Sequence, residues 1–523
     1  MAFSRSTATL ARRGLRRLSH HAAAPASDWD YDVLIVGGGV VGATLACRLA
    51  DELSAARIGL IEARRPQLPP SATTGTGVSS DGPADASLRN ALLACGRTPQ
   101  ARVYALSPAS VKTLQRCGAW EAIEQSGAAP PFRRMQVWDG PSAAGGLSGH
   151  ITFDASSQGV PELGVIAEDF ALHASLLARL DELHAANRIE LLCPAQLERV
   201  AFSPPGTGGA PPGPAVVTLR TSGGGESESV TTELRARLVV AADGANSRVR
   251  ATRGLASWGW GYGQRAIVTT VRAHAPAVAT PAPTATAWQR FLANGPLALL
   301  PLWDDHYSIV WSTTPDEAAR LSALSPAAFV DELNAALGES PPLADSFPFA
   351  QMAQEDSAVF RSPPIVESLQ APRLAFDLQL QQASVYCGAR TALVGDAAHS
   401  IHPMAGQGLN LGLADCESLT RALVHGAEAG LDLGDRHLLE QYDRERRPAN
   451  LAMMAGLDGL HRLFRFGGAA AAAASGGGSG GAGGWGAHGG AGAAVALARN
   501  MGLSALNSAT PAKAVLAKFA MGL

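Results

Sequence analysis

The chain has 523 residues, of which 46% are hydrophobic and 17% are charged, and its formal net charge at pH 7 is -3. This composition is typical of a globular protein with two or three domains, and the lack of a basic excess argues against nucleic acid as a partner. No run reaches the ~18 apolar residues of a membrane-spanning helix, so we expect any membrane contact to be peripheral. The six cysteines have no CxxC spacing, which argues against a disulfide scaffold or a zinc site and favours a reducing compartment.

The N-terminal segment 1–27 is basic and contains no acidic residue. At about 100° per residue, its larger apolar side chains fall on one side of a helix and its arginines on the other. The apolar side is formed by Phe3, Leu10, Leu15 and Leu18, and the basic side by Arg5, Arg12, Arg13, Arg16 and, at its border, Arg17. This pattern predicts a mitochondrial presequence. A disordered basic tail and a chloroplast address are the alternatives.

The folded part begins with a nucleotide-binding motif. A predicted strand at Tyr31–Val36 runs into Gly37, Gly39 and Gly42, which fit GxGxxG and open a predicted helix at Val41–Leu53. The first glycine permits the tight turn, the second lets the backbone approach a pyrophosphate, and the third lets the helix pack on the strand. The N-terminus of the helix offers free N–H groups to the phosphates.

An acidic residue follows the second predicted strand, Ile58–Ile61. The carboxylate of Glu62 can accept hydrogen bonds from an adenosine ribose and would repel a 2′-phosphate. The unit therefore favours FAD or NAD over NADP, and by itself does not separate FAD from NAD.

Two later strands also end in an aspartate beside a glycine. A strand at Arg237–Ala242 is followed by Asp243, and a strand at Thr391–Val394 is followed by Gly395 and Asp396. Asp396 at a strand end can bind ribityl or ribose hydroxyls. Asp243 could instead cap the turn that follows it.

A glycine-rich segment follows Asp396. Pro403, Gly406, Gly408 and Asn410 lead into a helix predicted to end near Leu423. The glycines let the backbone pass against a flat ring, and the new helix directs its N-terminus at that ring. A helix N-terminus stabilises the negative charge of a reduced flavin. These features favour FAD over NAD.

The three motifs, in this order and with the segment Arg102–Ser107, resemble the flavin-dependent aromatic hydroxylases that share the fold of para-hydroxybenzoate hydroxylase. The closer resemblance is to the mitochondrial and bacterial ring hydroxylases of ubiquinone biosynthesis. Matching segments span nearly the whole chain between Tyr31 and Gly522: Arg102–Ser110, Met135–Asp139, Leu163–Leu180, Leu299–Trp311, Arg390–Leu413, Tyr442–Asn450 and Ala498–Gly522. The resemblance implies that Arg102 lies beside the flavin and that Asp243 lies near the pyrophosphate.

The resemblance implies an α/β fold: a Rossmann-like FAD-binding domain, an interleaved antiparallel β-sheet substrate domain and C-terminal helices. We expect the FAD-binding domain at 28–129, 165–256 and 386–450, the substrate domain at 130–164 and 257–385, and a C-terminal helical region at 451–523. Within that last region, 467–492 is nearly all Gly, Ala and Ser and is predicted to be disordered. Its run Ala469–Ala474 could be briefly helical.

The resemblance also implies the activity. FAD would be reduced and react with O2 to a C4a-hydroperoxyflavin, which hydroxylates position 5 of a 4-hydroxybenzoate-type ring carrying a polyprenyl tail. The second GxGxxG unit of a nicotinamide domain is not found, so electrons would come from transiently bound NAD(P)H or from a partner protein. The resemblance implies a ferredoxin with its reductase. It further implies other quinone-biosynthesis proteins as partners and a peripheral site on the matrix face of the mitochondrial inner membrane.

Several alternatives stay open. Another ring position, another quinone precursor, a flavin-bound scaffold in a quinone-synthesis complex and an isoprenoid reductase are other functions for the same motifs. His399 and His402 have HxxH spacing, yet no third ligand is nearby and we expect no metal. Tyr262 and Gln264 could line the substrate pocket or pack at a sheet edge. Glu168-Asp169 departs from the family, where asparagine is expected second, and is predicted to cap a helix. No catalytic base is identified.

Overall fold

The computed structural model describes residues 29–64, 99–139, 150–203, 212–222, 229–274, 286–338, 361–403 and 406–475. The predicted presequence, most of the Gly/Ala-rich segment and the C-terminal tail lie outside these residues. In chain order the strands are β1 (Tyr31–Val36), β2 (Ile58–Ile61), β3 (Val103–Leu106), β4 (Pro131–Phe132), β5 (Arg134–Asp139), β6 (His150–Asp154), β7 (Gly164–Glu168), β8 (Glu190–Leu192), β9 (Ala195–Ala201), β10 (Ala215–Ser222), β11 (Ser229–Ala241), β12 (Ser257–His274), β13 (Thr286–Leu292), β14 (Gly295–Pro301), β15 (His306–Thr313), β16 (Ile365–Leu369), β17 (Leu374–Ala383), β18 (Cys387–Gly388), β19 (Thr391–Leu393) and β20 (His399–Ser400). The α-helices are α1 (Val40–Glu52), α2 (Pro108–Arg116), α3 (Glu121–Ser126), α4 (Asp169–Ala185), α5 (Arg248–Arg253), α6 (Pro315–Ala323), α7 (Pro326–Leu337), α8 (Gln407–Glu428) and α9 (Arg436–Ser475).

The first sheet has the order β18-β19-β11-β1-β2-β8, with β10 paired to β11 and β9 paired to β10. Strand β1 runs parallel to both β2 and β11, and β11 runs parallel to β19. The central strands are nearly continuous apolar runs because both faces of a parallel sheet are covered. Leu34, Ile35 and Val240 are fully buried in one core that also includes Leu45 and Leu413 from α1 and α8. The predicted Rossmann-like domain is confirmed.

The second sheet has the order β20-β17-β12-β15-β14-β13-β5-β6, with β16 paired to β12. Its pairings are antiparallel except for β13 with β5, which are parallel. The predicted antiparallel sheet is therefore confirmed, with one parallel pair inside it. One core of this sheet contains Trp288 and Trp311 together with Phe329 and Leu333 of α7. Strand β20 lies in the range predicted for the FAD-binding domain, yet it pairs with β17 of this sheet.

A small third sheet, β3-β7-β4, places the segment after Arg102 beside β7. Helix α9 then contributes to the cores of both large sheets. Tyr442 is buried in the core of the first sheet, whereas Leu457 and Phe464 pack with Phe291 of the second. None of the described helices is long and apolar enough to cross a membrane.

Helix α9 corrects one prediction. It continues through Ser475, so the first residues of the segment predicted to be disordered, including Ala469–Ala474, are helical. Alanine has the highest helix propensity, and a helix that is already formed extends without a new nucleation cost.

Candidate FAD-binding site

The glycine turn is shaped by close backbone contacts. Gly37 has φ +107°, and a Cβ there would overlap the carbonyl oxygen of Ala242; a Cβ on Gly42 would overlap the carbonyl oxygen of Gly37. Around Gly39, by contrast, a Cβ would meet no protein atom within 4 Å. Gly39 is also the N-cap of α1 and provides no side-chain hydrogen bond to the helix. The turn thus leaves free N–H groups and open space where a phosphate could approach.

Glu62 lies against this turn. Its Oε2 accepts a hydrogen bond from the Gly38 N–H at 2.7 Å, and its Oε1 accepts one from the Arg64 N–H at 2.9 Å. An apolar pocket opens beside it, lined by Gly38, Ala43, Leu60, Glu62, His173, Leu176, Leu177, Leu180, Leu191 and Cys193. Each carboxylate oxygen retains a second lone pair. The arrangement fits an aromatic base in the pocket with its ribose at the carboxylate.

Asp243 caps the helix that follows it. Its Oδ2 accepts hydrogen bonds from the N–H groups of Arg248 at 2.8 Å and Val249 at 3.3 Å. The capping role that stood as the alternative to a pyrophosphate contact is therefore observed for this oxygen. A direct pyrophosphate contact stays a prediction.

Arg250 connects two of the motifs, a role that the sequence analysis missed. Its guanidinium donates to the carbonyl oxygens of Ala245 and Ala397, each at 2.7 Å. These carbonyls follow Asp243 and Asp396 respectively. Burial lowers the pKa of Arg250, and the charge of Asp243 opposes that change. The arginine lies in the motif itself, but its partner Ala397 is 147 residues away in the chain, so only the tertiary structure reveals the link.

Asp396 and Arg102 influence each other electrostatically although they are far apart in the sequence. Gly395 has φ +58° and begins a short 3-10 turn over Gly395–Ala397. The Asp396 side chain is exposed at this turn. Desolvation by the surrounding protein raises the pKa of its carboxyl, while the charges of His399 and Arg102 lower it. The Arg102 guanidinium lies 5.5 Å from the centre of the Tyr104 ring. A carboxylate and a guanidinium near this turn could engage ribityl hydroxyls and a polar ring edge.

The segment before α8 approaches β3. Gly406 has φ +64° and is the N-cap of α8 without a side-chain hydrogen bond. A Cβ on Gly406 would lie 2.9 Å from the Cβ of Ala105, whereas a Cβ on Gly408 would meet only Ile401, at 3.9 Å. Close packing therefore requires glycine at 406 and not at 408. Pro403 is the last described residue before this segment, because residues 404 and 405 lie outside the described ranges.

Asn410 supports the same approach from within α8. Its Oδ1 accepts hydrogen bonds from the Ser107 N–H at 2.9 Å and the Ser110 hydroxyl at 2.6 Å, and its Nδ2 donates to the Ala105 carbonyl at 2.9 Å. The amide thus holds α8 against the segment that follows Arg102. Its direct contact with a cofactor stays a prediction.

The glycine turn and the third motif meet at the start of α1. A Cβ on Gly395 would lie 3.2 Å from Val41, and a Cβ on Gly412 would lie 2.7 Å from the same side chain. Two helix N-termini without side-chain caps, α1 and α8, are therefore brought to one region together with Asp396. The N–H groups of a first helical turn have no partner within the helix and suit a pyrophosphate and an anionic ring, so the residues present fit FAD.

The two histidines of the HxxH spacing have other surroundings. His399 Nε2 lies 2.6 Å from Asp415 Oδ2. His402 packs against Tyr262 and His461, with ring centroids 5.0 and 4.9 Å away. Burial lowers the pKa of His402 to about 3, and the charge of His461 acts in the same direction. Among the described residues, no group of three or more His, Cys, Asp or Glu side chains could hold a metal ion.

Glu168 does not cap its helix, so that prediction was wrong. It occupies the N-cap position of α4 without a side-chain hydrogen bond to the helix. Its side chain is buried, and the carboxylate accepts from the Gln100 N–H at 3.3 Å. Burial raises the pKa of Glu168 to about 7. The neighbouring Asp169 has its Oδ1 3.4 Å from His173 Nδ1.

Comparisons with known proteins show similarity at the level of family and fold. A family profile described as an FAD binding domain matches residues 215–362 and 364–456. The ubiquinone biosynthesis monooxygenase COQ6 of Mus musculus, named as mitochondrial, is 33% identical over 466 residues, which cover 87% of this chain and 88% of that protein. The protein of the same name from Xenopus tropicalis is 32% identical over 508 residues, covering 94% of this chain and 93% of that protein. The structure of p-nitrophenol 4-monooxygenase PnpA from Pseudomonas putida DLL-E4 has a TM-score of 0.55 at 18% identity, over 83% of this chain and 89% of that chain, which shows the shared fold.

Fold, cofactor motifs and comparisons together define an FAD-dependent monooxygenase. The cofactor, the enzyme class and the fold predicted from the sequence are confirmed. More narrowly, the chain belongs to the COQ6 family of ubiquinone biosynthesis monooxygenases.

Proposed function

We propose that the chain hydroxylates position 5 of a 4-hydroxy-3-polyprenylbenzoate-type ring in ubiquinone biosynthesis, with O2 as the oxygen donor. The observation that carries this proposal is the extent of the similarity to the mouse relative, which covers 87% of the chain at 33% identity. The FAD-binding family profile, at 215–362 and 364–456, spans most strands of the second sheet together with Asp243 and Asp396. A substrate region shared with a ubiquinone biosynthesis monooxygenase supports a substrate of the same class.

An apolar cluster between the second sheet and α9 supports a substrate with a hydrocarbon tail. The rings of Phe291 and Phe464 stack with centroids 3.6 Å apart. Leu411 of α8 belongs to the same cluster, and Ile401 packs against it, so the cluster adjoins the segment that follows Asp396. The pocket beside these rings is lined by Gln264, Phe291, Leu292, Gly295, Pro296, His461 and Phe464. The wall is apolar with two polar groups, but its free space is about 10 Å³, roughly one water molecule, so a hydrocarbon tail would enter only where these side chains move apart.

The roles of the protein in this reaction are binding, orientation and exclusion of water. Bound FAD would supply the activation of O2, and a phenol ring is itself electron-rich, so no side-chain nucleophile is required. Gly37, Gly39, Gly42 and Glu62 would hold the adenosine diphosphate half of the cofactor. Ribityl and ring contacts would come from Arg102, Asp396, Pro403, Gly406, Gly408 and Asn410. The N-terminus of α8 would stabilise negative charge on the reduced ring.

The electron source, the site in the cell and the partners complete the proposal. The sequence shows no second GxGxxG unit in a βαβ context, which leaves transiently bound NAD(P)H or a partner protein as the source of electrons. The similarity to mitochondrial ubiquinone biosynthesis monooxygenases supports the second source, a ferredoxin with its reductase. The basic segment 1–27 supports import into mitochondria. Peripheral attachment to the matrix face of the inner membrane, beside other quinone-biosynthesis proteins, would bring the enzyme to a substrate with a long apolar tail.

The test is turnover by the purified FAD-loaded protein. A 4-hydroxybenzoate with a short prenyl chain at position 3 is supplied with O2, ferredoxin, ferredoxin reductase and NADPH, and the product is examined by mass spectrometry and NMR. We expect one added oxygen, located at position 5. Asp396→Asn should lose most of the turnover, whereas Asp377→Asn, which removes an exposed ion pair with Arg265, should retain it. Hydroxylation elsewhere on the ring, or equal rates with NADPH alone, would contradict the corresponding part of the proposal.

A complementation experiment distinguishes a hydroxylase from a scaffold. If a quinone-deficient strain recovers full quinone synthesis with an Asp396→Ala form that has lost FAD, then the chain contributes by assembly and the hydroxylase proposal is wrong.

A further inference from the structure

A fully buried carboxylate lies directly behind the Gly395–Asp396 turn. Asp415, on α8, has no solvent exposure. Its Oδ2 accepts hydrogen bonds from the Gly395 N–H at 3.1 Å and from His399 Nε2 at 2.6 Å. Gly395 and His399 stand on either side of Asp396 in the chain. The carboxylate therefore holds both ends of the turn that presents Asp396.

The other oxygen of Asp415 is held by α9. Its Oδ1 accepts from Arg446 Nε at 3.0 Å and from Asn450 Nδ2 at 3.1 Å. Arg446 also donates to Asn450 Oδ1 at 2.6 Å, and Asn450 Nδ2 lies 3.2 Å from the Tyr386 hydroxyl. The network thus runs from α9 through Asp415 to the cofactor turn.

The chemistry of the four partners requires a carboxylate at this position. Burial raises the pKa of the Asp415 carboxyl, but the charges and hydrogen bonds of His399 and Arg446 outweigh burial and lower the pKa overall. The ionised carboxylate accepts on both oxygens and donates on neither, which matches four donors. An amide of the same size accepts on one oxygen only, so its NH2 group would face either the Gly395 N–H or the Arg446 guanidinium, neither of which can accept. A buried donor without a partner is costly.

We propose that Asp415 is a positioning residue for the cofactor: its carboxylate fixes the conformation of the Gly395–Asp396 turn, and Arg446 and Asn450 of α9 fix the position of that carboxylate. This inference rests on the proposed contact between Asp396 and FAD, and it is independent of which ring is hydroxylated. Changes on α9, away from the cofactor, should then alter FAD affinity.

The first test compares Asp415→Asn with Asp443→Asn. Asp443 is also buried, but its carboxylate accepts from the Tyr386 N–H at 2.7 Å and pairs with Arg447 at 3.2 Å, away from the turn. FAD is titrated into each apoprotein by absorbance and fluorescence, at a temperature where circular dichroism shows both variants folded. We expect a Kd for FAD about tenfold to a hundredfold higher in Asp415→Asn and changed less than about twofold in Asp443→Asn. Equal effects in the two variants would show a general loss of packing and overturn the proposal.

A double variant provides a rescue that a merely structural role would not produce. In Asp415→Asn with Asn450→Asp, the new amide can direct its oxygen to Gly395 and His399 and its NH2 group to the new carboxylate at position 450. Arg446 can then pair with that carboxylate. We expect the double variant to bind FAD more tightly than Asp415→Asn alone. A double variant no better than the single one would contradict the proposal.

A third variant keeps the proposal testable if Asp415→Asn does not fold. Asn450→Ala leaves the turn itself unchanged and removes one donor from Asp415; we expect about a threefold to tenfold rise in the Kd for FAD. A folded Asn450→Ala protein with wild-type affinity overturns the inference. Asp396→Ala is titrated in parallel. If it binds FAD normally, the proposed role of Asp396 fails first, and the two failures are thereby distinguished.

Discussion

The two large sheets place their polar groups differently. In the first sheet the central strands are apolar, and the acidic residues Glu62, Asp243 and Asp396 come in turns after β2, β11 and β19. Because these strands are parallel, their carboxyl ends share one edge. In the second sheet, buried polar residues such as Gln136 and Thr152 lie within the strands. The first sheet therefore carries its acidic residues at one edge, and the second carries buried polar residues within its strands.

This difference decides which site residues can be recognised in a sequence. A turn at a strand end needs special backbone geometry and leaves glycines and acids at fixed spacing. A sheet face draws single residues from many strands with no shared spacing. The proposed cofactor residues accordingly form motifs, whereas no motif marks the proposed substrate region.

The largest expected effect concerns the glycine turn after β1, at the edge of the first sheet. Gly37→Ala should destabilise the apoprotein by about 3 kcal/mol or more, because φ +107° is strained for alanine and a Cβ would overlap Ala242. Gly39→Ala should change apoprotein stability by less than about 1 kcal/mol, since φ is −65° and the space is open, yet raise the Kd for FAD at least about tenfold. Thermal unfolding of the apoproteins and FAD titrations measure the two effects. Normal FAD binding by Gly39→Ala would mean that the cofactor does not approach this position.

The next largest effect concerns His402, which packs against Tyr262 of the second sheet. The pKa of His402 is lowered to about 3, so the folded protein keeps this imidazole neutral. As the pH falls below the ordinary value of about 6.5, only the unfolded chain gains the proton, and stability is lost progressively until the folded pKa is reached. Between pH 7 and pH 5 the wild type should lose about 2 kcal/mol more than His402→Asn. His437→Asn, at an exposed position, is the control. Urea unfolding at the two pH values measures the difference, and parallel losses in all three proteins would contradict it.

The smallest expected effect is on apoprotein stability at Asp396, where we expect stability and FAD affinity to change in opposite directions. The raised pKa of this carboxyl means that the fold disfavours its ionised form at neutral pH. Asp396→Asn should therefore stabilise the apoprotein, by less than about 1 kcal/mol because the side chain reaches solvent, and the gain should vanish below the ordinary pKa. The same variant should raise the Kd for FAD about tenfold, because a carboxylate accepts from hydroxyls more strongly than an amide. In the wild type the Kd should rise as the pH falls through the pKa of Asp396, and in the variant it should stay flat. Identical pH profiles would remove Asp396 from the site.

Much of the fold was predictable because its signals are local. The strands Tyr31–Val36 and Ile58–Ile61 and the helix between them were predicted to within a residue, since a buried parallel strand and the helix after it are each continuous in sequence. The antiparallel character of the second sheet came from the family resemblance. Its parallel pair, β13 with β5, and the return of β20 to its edge carry no sequence signal, because pairing partners are chosen by the chain as a whole.

The sequence by itself determined the cofactor class, because a phosphate-binding turn demands glycines and an acid in a short, readable order and the glycine-rich segment after Asp396 adds the signal for a flavin. Only the tertiary structure decided how those motifs are held together. Arg250 donates a hydrogen bond to the turn after β19, and Asn410 of α8 donates one to β3. Asp415 accepts one from Arg446 of α9. Each of these links joins residues distant in the chain, and a buried polar side chain acquires its role from the partners that folding brings to it.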